Sequence, residues 1–441
     1  FKPRMVYKKE NMLKVSGLEV TGIGEGNNFT IIGERTNIAG SARFGKIISE
    51  CRYADGLAIA AKEIECGATV IDVNVDDPMS DDPSGKMRDF LRCASNDPAV
   101  AKAAVMLDSS HWDTLLEGLR NVPGKCIVNS ISLCDGEEEF VRKALVIKSY
   151  GAAMVVMAFD EKGQAVTFER KVEICKRSYR LLTGAGIPPQ DIIFDCNILT
   201  IGTGIQGHSR FALDFIEAVK WIKGNLPGAL TSGGVSNLSF AFRGNNAVRN
   251  AMHAVFLHHA IKAGLDMAIV NPQTLLRYDE VESGLREAAE DVIFDRDEGA
   301  TARLVALVSG QTSGTALHSA PAPGQASPSA VRCEAIESDP EKALAAAVIA
   351  GNDCDTERLT ELCRLRLGSA VAVIEGPLMH GMETVGERFA DGRMFLPQVI
   401  KSARTMREAV KILEPYMGTK GEASGRPRFL IATVSGDIHD I

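Results

Sequence analysis

The chain has 441 residues, 45% hydrophobic and 24% charged, a soluble globular composition with room for about two to four domains. Its net charge of −8 argues against a nucleic-acid or anionic-membrane surface, and no apolar run approaches the ~18 residues that would span a bilayer. The ten cysteines form no C-x-x-C pair and no regular framework, which points to a reduced compartment and a cytoplasmic protein.

The chain opens at Phe1 with neither a methionine nor a signal-like segment, as an excerpt of something longer would. Residues 1–28 are polar, with Lys-rich and Gly-rich patches, and read as a linker or a barrel-bottom plug. In TIIGERTNIAGS (30–41) a short apolar run stops at Gly33 and releases Glu34, Arg35, Thr36 and Asn37, the pattern of a buried strand opening into a polar loop. A helix over 53–66 follows, with Leu57, Ala60, Ala61 and Ile64 on one face and Gly67 as its stop. The strand-and-exit pattern then recurs at TVIDVNV (69–75), AVMLDSS (104–110), CIVNSIS (126–132), AAMVVMAFD (152–160), DIIFDCN (191–197), GALTSGGVSN (228–237) and DMAIVN (266–271). Between the seventh and eighth of these lies a helix over 246–263, ended by Gly264.

The polar strand ends are Glu34, Asp72, Asp108, Asn129, Asp160, Asp195, Asn237 and Asn271, spaced 21 to 42 residues apart. Each interval holds a loop, a helix and the next strand. Eight such units predict an α/β fold, a (β/α)8 TIM barrel over 29–308 with its site at the C-terminal face.

From 309 to 330 the composition shifts to Ser, Ala, Gly and Pro, the signature of an interdomain linker. Beyond it, within 331–417, helices are predicted over 340–350, 356–367, 377–389 and 397–416, three of them opening on a proline. Short turns between the later helices suggest an all-α, antiparallel four-helix bundle. A second linker, 418–427, precedes an apolar strand whose exit is SGDIHDI, so that 428–441 read as the truncated start of a further α/β domain.

An Asp or Asn at a single strand end is ordinarily a helix cap or an Asx turn. Eight in series make the face a site. A carboxylate accepts two parallel N–H bonds from an amidine-like edge, and an asparagine offers one donor and one acceptor to neighbouring ring positions. A mouth lined this way suits a flat heterocycle rich in N–H groups. His111 and the adjacent pair His258–His259 lack the i,i+4 partner of a zinc site and read as structural.

The motifs GERTNIAGS, DVNVDDP, LDSS, CIVNSIS, GAAMVVMAFDE, DIIFDCNILTIGTG, SGGVSNLSFAFRG and GLDMAIVNP resemble, in order through residues 29–272, the folate-binding module of cobalamin-dependent methionine synthases. The resemblance implies a pterin-binding barrel in which Asp108, Asn129, Asp195 and Asn237 hold the pterin of methyltetrahydrofolate. Asp195 would take the 2-amino and N3 edge, and Asn237 would lie near N5 as the catalytic group. Cys196 departs from the family's usual proline after the aspartate.

Residues 374–415 resemble the family's cobalamin cap, which implies that Phe389, Leu396 and Val399 face the cofactor. The tail, Asp437-Ile438-His439, resembles the start of the D-x-H-x-x-G cobalamin motif. There His439 would be the lower cobalt ligand and Asp437 would bond its other ring nitrogen, once the full cobalamin module is present.

The activity implied is that of a cobalamin-dependent methyltransferase of methionine biosynthesis. It passes a methyl group from N5-methyltetrahydrofolate to cob(I)alamin, giving methylcobalamin and tetrahydrofolate. The implied partners are the cobalamin module and a homocysteine barrel of the same polypeptide, with neither nucleic acid nor membrane. Two alternatives stand: a stand-alone methyltetrahydrofolate:corrinoid methyltransferase, which lacks the cap, and a non-catalytic corrinoid carrier with a vestigial barrel.

Overall fold

The computed structural model describes residues 12–312, except 25, 78 and 206, and residues 339–417, except 354. The 313–330 part of the expected linker, the second linker and the tail with Asp437 and His439 lie outside the described residues. Within those described, the chain up to Ile201, Arg210–Phe240 and Arg249–Phe294 form one compact unit. Gly202–Ser209, Ala241–Val248 and the residues from Asp295 onward form another.

The first unit opens with an antiparallel hairpin, β1 (Leu13–Ser16) and β2 (Val20–Ile23). It continues with β3 (Thr30–Gly33), β4 (Val70–Val73), β5 (Ala104–Asp108), β6 (Ile127–Ile131) and β7 (Ala153–Met157). A two-residue hairpin follows, β8 (Phe159–Asp160) with β9 (Gly163–Gln164), and then β10 (Ile192–Asp195), β11 (Leu230–Ser232) and β12 (Met267–Ile269). Eight of these make one parallel sheet in the order β11-β10-β7-β6-β5-β4-β3-β12. Its edges meet where Gly234 bridges Ile269, whose N–H reaches the Gly233 carbonyl at 3.0 Å. The sheet is therefore a TIM barrel, as the repeated strand exits predict.

The polar exits leave the ladder at different points: Asp108, Asn129 and Asp195 still lie within β5, β6 and β10. The fifth barrel strand ends at Met157, and Asp160 lies in the β8–β9 hairpin. Asn237 lies in a 3-10 segment, Val235–Phe242, after β11.

The barrel interior is filled by Ile32, Val70, Met106, Ile127, Val155, Ile193 and their neighbours, joined by Leu13, Val15 and Ile23 of the first hairpin. That hairpin bonds to residues just ahead of strands: Ser16 N–H to the Lys125 carbonyl at 3.0 Å and Leu18 N–H to the Ala101 carbonyl at 2.8 Å. It therefore stops the N-terminal end of the barrel and leaves the C-terminal end as the mouth.

The outer helices are α1 (Ala42–Ser49), α2 (Tyr53–Glu65), α3 (Pro83–Asn96), α4 (Trp112–Asn121), α5 (Glu137–Ser149), α6 (Phe168–Gly184), α7 (Phe211–Asn225), α8 (Asn246–Ala263) and α9 (Ser283–Ile293). Ser41, Asp82 and Thr167 cap α1, α3 and α6 through their side-chain oxygens, as expected of these residue types. On α2 the fully buried positions are Gly56, Ala60 and Glu63, while Leu57 and Ile64 of the predicted stripe are only half-buried.

In the second unit α10 (Ala300–Thr312) runs four residues into the stretch that composition marks as linker. Serine, glycine, glutamine and threonine lack a helix-stopping proline, and each added residue of an existing helix gains a bond without a new nucleation.

The C-terminal helices are α11 (Pro340–Ala350), α12 (Thr356–Leu367), α13 (Ala370–Val373), α14 (Met379–Ala390) and α15 (Leu396–Leu413). α11, α12, α14 and α15 pack as a bundle around Leu344, Val348, Leu359, Cys363, Leu378 and Leu413. The predicted helix start at Pro377 is incorrect. The helix begins at Ala370 behind the Ser369 cap, and Pro377 sits inside a π turn, Ile374–Leu378, that joins α13 to α14. Gly376, at φ −90° and ψ −106°, absorbs the distortion. A proline removes one helical N–H and crowds the preceding turn, and a widened turn accommodates both effects.

No described helix is long and apolar enough to cross a membrane.

Candidate functional site

The mouth is built from side chains that leave the parallel strands at their C-terminal ends. Asp108 closes β5 and pairs in register with Asn129 of β6, while Asp195 closes β10. Asn237 follows β11, and its backbone is tied to the loop after Asp195: Thr200 Oγ1 donates to the Asn237 carbonyl at 3.0 Å, and Ile201 N–H to that of Leu238 at 3.1 Å. Glycine at 233 leaves room for the Ile198 side chain, since a Cβ there would lie 2.5 Å from Ile198 Cδ1. Asp108, Asn129, Asp195 and Asn237 thus share one end of the barrel. The carboxamides of Asn129 and Asn237 have no hydrogen-bond partner among the described side chains.

The other strand ends are occupied. Asp160 accepts from Arg170 Nη2 at 2.6 Å, and Glu34 accepts from Ser236 Oγ at 2.7 Å. Asn271 Oδ1 closes a turn on Gln273 N–H, 3.1 Å away. Asp72 is buried and shares a donor with Asp108. Asn37 Nδ2 lies 2.7 Å from Asp72 Oδ2 and 2.6 Å from Asp108 Oδ2, and Thr36 Oγ1 donates to the Asp72 carbonyl at 2.7 Å. Asp72 Oδ1 has no partner among the described residues. Asp76 accepts from the Ser109 hydroxyl and from both the N–H and hydroxyl of Ser110, which fixes the loop leaving β5.

Burial dominates the electrostatics. It pushes the Asp195 carboxyl up to about 6, against the Asn197 N–H bond at 2.7 Å and the Lys171 ammonium, which favour the charged form. Asp108 is pushed up to about 6 in the same way, against hydrogen bonds from Asn74 and Asn37. Asp72 is raised well above the usual carboxylate range by burial and by the charge of Asp108 beside it. Near neutral pH this arrangement presents Asp108 and Asp195 as acceptors.

Two buried ionisable groups escaped the sequence reading. Glu63 of α2 accepts the Arg35 N–H at 2.8 Å and pins the loop that carries Asn37. Burial pushes it up to about 7. Gly33 leaves room for it, since a Cβ there would lie 2.7 Å from the Glu63 carboxyl. Lys171 of α6 is fully buried below Asp195. The signal for both was a charged residue on the inward stripe of an amphipathic helix: Lys171 shares its face with Ile174, Cys175, Ser178 and Leu182.

Three of the described histidines have partners within the barrel unit. His258 stacks on Tyr278 at 3.9 Å, and His259 Nε2 lies 3.0 Å from Glu290 Oε1. His253, beside Ser239 Oγ at 2.7 Å, is pushed down to about 3 by burial. Among the described residues no group of three His, Cys, Asp or Glu is placed to hold a metal ion.

In the bundle, Phe389 lies near the end of α14 with 41% of its surface exposed, and Leu396 and Val399 stand half-buried one turn apart on α15. None of the three belongs to the bundle's apolar core.

Comparison with known proteins adds two family matches and a set of solved structures. Residues 340–414 match the B12 binding domain. Dihydropteroate synthase from Vibrio fischeri ES114 aligns at 12% identity and a TM-score of 0.43, covering 64% of this chain and 98% of its own. Dihydropteroate synthase from Xanthomonas albilineans in complex with 7,8-dihydropteroate aligns at 11% identity and a TM-score of 0.42, covering 69% of this chain and 100% of its own. The pterin binding enzyme family matches residues 33–271, more than half of the chain and all eight barrel strand exits, and the chain belongs to that family.

Proposed function

We propose that the barrel binds N5-methyltetrahydrofolate and gives up its methyl group to a corrinoid, as the folate half-reaction of a methionine synthase. The observation that carries this reading is one chain holding both a pterin-family barrel with a carboxylate-and-carboxamide mouth and a B12 binding domain. In the whole enzyme the methyl group would pass on to homocysteine at another barrel of the same polypeptide.

Asp195 takes the 2-amino and N3 edge of the pterin, because an ionised carboxylate accepts two parallel N–H bonds from such an edge. Asp108 and Asn129, neighbours in register, supply an acceptor and a donor–acceptor pair to the rest of the ring. N5 must gain a proton before or during transfer, since its amide anion is a very poor leaving group. Asn237 does not titrate. Its free carboxamide hydrogen-bonds N5 as charge develops there, and so acts on the transition state.

Cobalamin, when bound, supplies the cobalt nucleophile that accepts the methyl group. Phe389, Leu396 and Val399 fit its upper face, because they form apolar surface that the bundle core does not use. Asp437 and His439, the expected lower-side pair, lie outside the described residues.

The deciding experiment is methyl transfer from methyltetrahydrofolate to added cob(I)alamin, followed by absorbance. Transfer supports the reading. Tight folate binding without transfer rejects it, and an absence of folate binding leaves only a corrinoid carrier.

A further inference from the structure

α6 carries a buried cation that no salt bridge explains. Lys171 has no exposed surface, and its ammonium points at three backbone carbonyls: Ala165 at 3.2 Å, Asn197 at 3.1 Å and, closer still, Cys196. An ammonium has three hydrogens and no acceptor, so all of its capacity is used. A buried cation is costly to desolvate, and an apolar side chain of similar length would fill the same space. The carbonyls it holds explain its presence.

Two of them belong to the turn that leaves Asp195. Asn197 sits in the left-handed region at φ 61°, its side chain donates to the Ala158 carbonyl at 3.0 Å, and its N–H donates to Asp195 Oδ1 at 2.7 Å. Lys171 grips the carbonyls of both Cys196 and Asn197, and so fixes the direction in which that N–H points.

We infer that Lys171 is a positioning residue of the barrel mouth: by clamping the 195–197 turn from beneath, it sets the direction and charge of the Asp195 carboxylate for the pterin edge. This rests on the reading that Asp195 takes the pterin. The other titratable groups facing the ammonium are Cys175, Cys196 and Asp214. The two thiols lie 3.8 Å apart, and burial holds that of Cys175 in its neutral form. Asp214 is engaged by Arg210 at 3.3 Å. Asp195 is therefore the carboxylate that gains most from the cation.

The test is methyltetrahydrofolate affinity as a function of pH, for the parent chain and for Lys171→Met, Lys171→Gln and Asp195→Asn. In the parent, affinity falls as the pH drops through about 6, where Asp195 takes up its proton. Lys171→Met should weaken binding at pH 7 by about tenfold and move that acid limb upward by about one pH unit. Lys171→Gln is one atom shorter and keeps two donors without the charge. It should move the limb similarly with a smaller loss of affinity, and it covers the case in which the methionine variant does not fold. Parent-like affinity in both variants, or an equal loss at every pH with the limb unmoved, overturns the inference. Asp195→Asn separates the two levels: if it binds folate as the parent does, the pterin reading fails and this inference with it. If binding is lost there while the Lys171 variants are unaffected, only this inference fails.

Discussion

The barrel mouth and the bundle surface solve opposite problems. At the mouth, polar groups are taken out of water and held in place by other polar groups: the Asn197 N–H bonds Asp195, and the Asn37 amide bonds Asp108. On the bundle, Phe389 keeps 41% of its surface exposed and lies outside the apolar core. The first kind of site is specific and sensitive to charge. The second is generic and sensitive only to size, so substitutions should separate them cleanly.

The largest effect is expected at Asp195. Asp195→Ala removes two charge-assisted bonds of about 1.5–3 kcal/mol each, so folate titrations should show a loss on the order of 100-fold or more. Equal titration curves for variant and parent would put the pterin elsewhere and erase the contrast with the bundle.

Asn237 divides binding from chemistry within the mouth. Asn237→Ala should slow methyl transfer by about tenfold or more while affinity changes by a smaller factor, since its hydrogen bond strengthens as N5 becomes charged. Equal losses in Kd and in the single-turnover rate would make it a plain binding contact.

Glu63 tests whether buried carboxyls in the barrel carry an energetic burden that the bundle lacks. Its folded pKa, about 7, lies above the ordinary 4.5, so the folded state holds this proton more tightly than the unfolded chain does. Its contribution to stability therefore falls as pH rises from about 4.5 through 7, by on the order of 3 kcal/mol in all. Glu63→Gln should accordingly raise Tm relative to the parent at pH 8 and lose that advantage at pH 5. A Tm difference independent of pH would mean that Glu63 is already ionised or already paired.

The smallest effect on folate is expected from the bundle. In a chain that extends through the whole cobalamin module, Phe389→Ala should speed photolysis of bound methylcobalamin and leave folate affinity within about twofold of the parent, because exposed apolar substitutions perturb little beyond their own contacts. Unchanged photolysis would remove the basis for placing Phe389 over the cofactor.

The barrel was legible because its signal is repeated: eight apolar runs, each ending in a polar exit, allow few other arrangements. The bundle was legible from its helix starts at Pro340 and Thr356, which the structure keeps. Pro377 misled because a proline marks a helix start only when the turn before it is not already helical, and that helix had begun seven residues earlier, at Ala370. Glu63 and Lys171 stayed hidden for a different reason. Their partners are backbone groups 28 and 26 residues away, brought close only by closure of the barrel. A sequence shows that a charge lies on an apolar face; it does not show which carbonyl or N–H is waiting there.

Asn37 carries a consequence for how the mouth can vary. Its two amide hydrogens are shared between Asp72 and Asp108, and its oxygen accepts the Ala39 N–H at 2.9 Å. Turned over, the amide would set its oxygen against two carboxyls and its hydrogens against a donor. The side chain therefore has one usable orientation, and that orientation exists only while both acids remain. Replacing either acid leaves Asn37 with an unclaimed hydrogen; replacing Asn37 leaves two carboxyls facing each other without a mediator. Double-mutant cycles among the three positions should therefore show strong coupling.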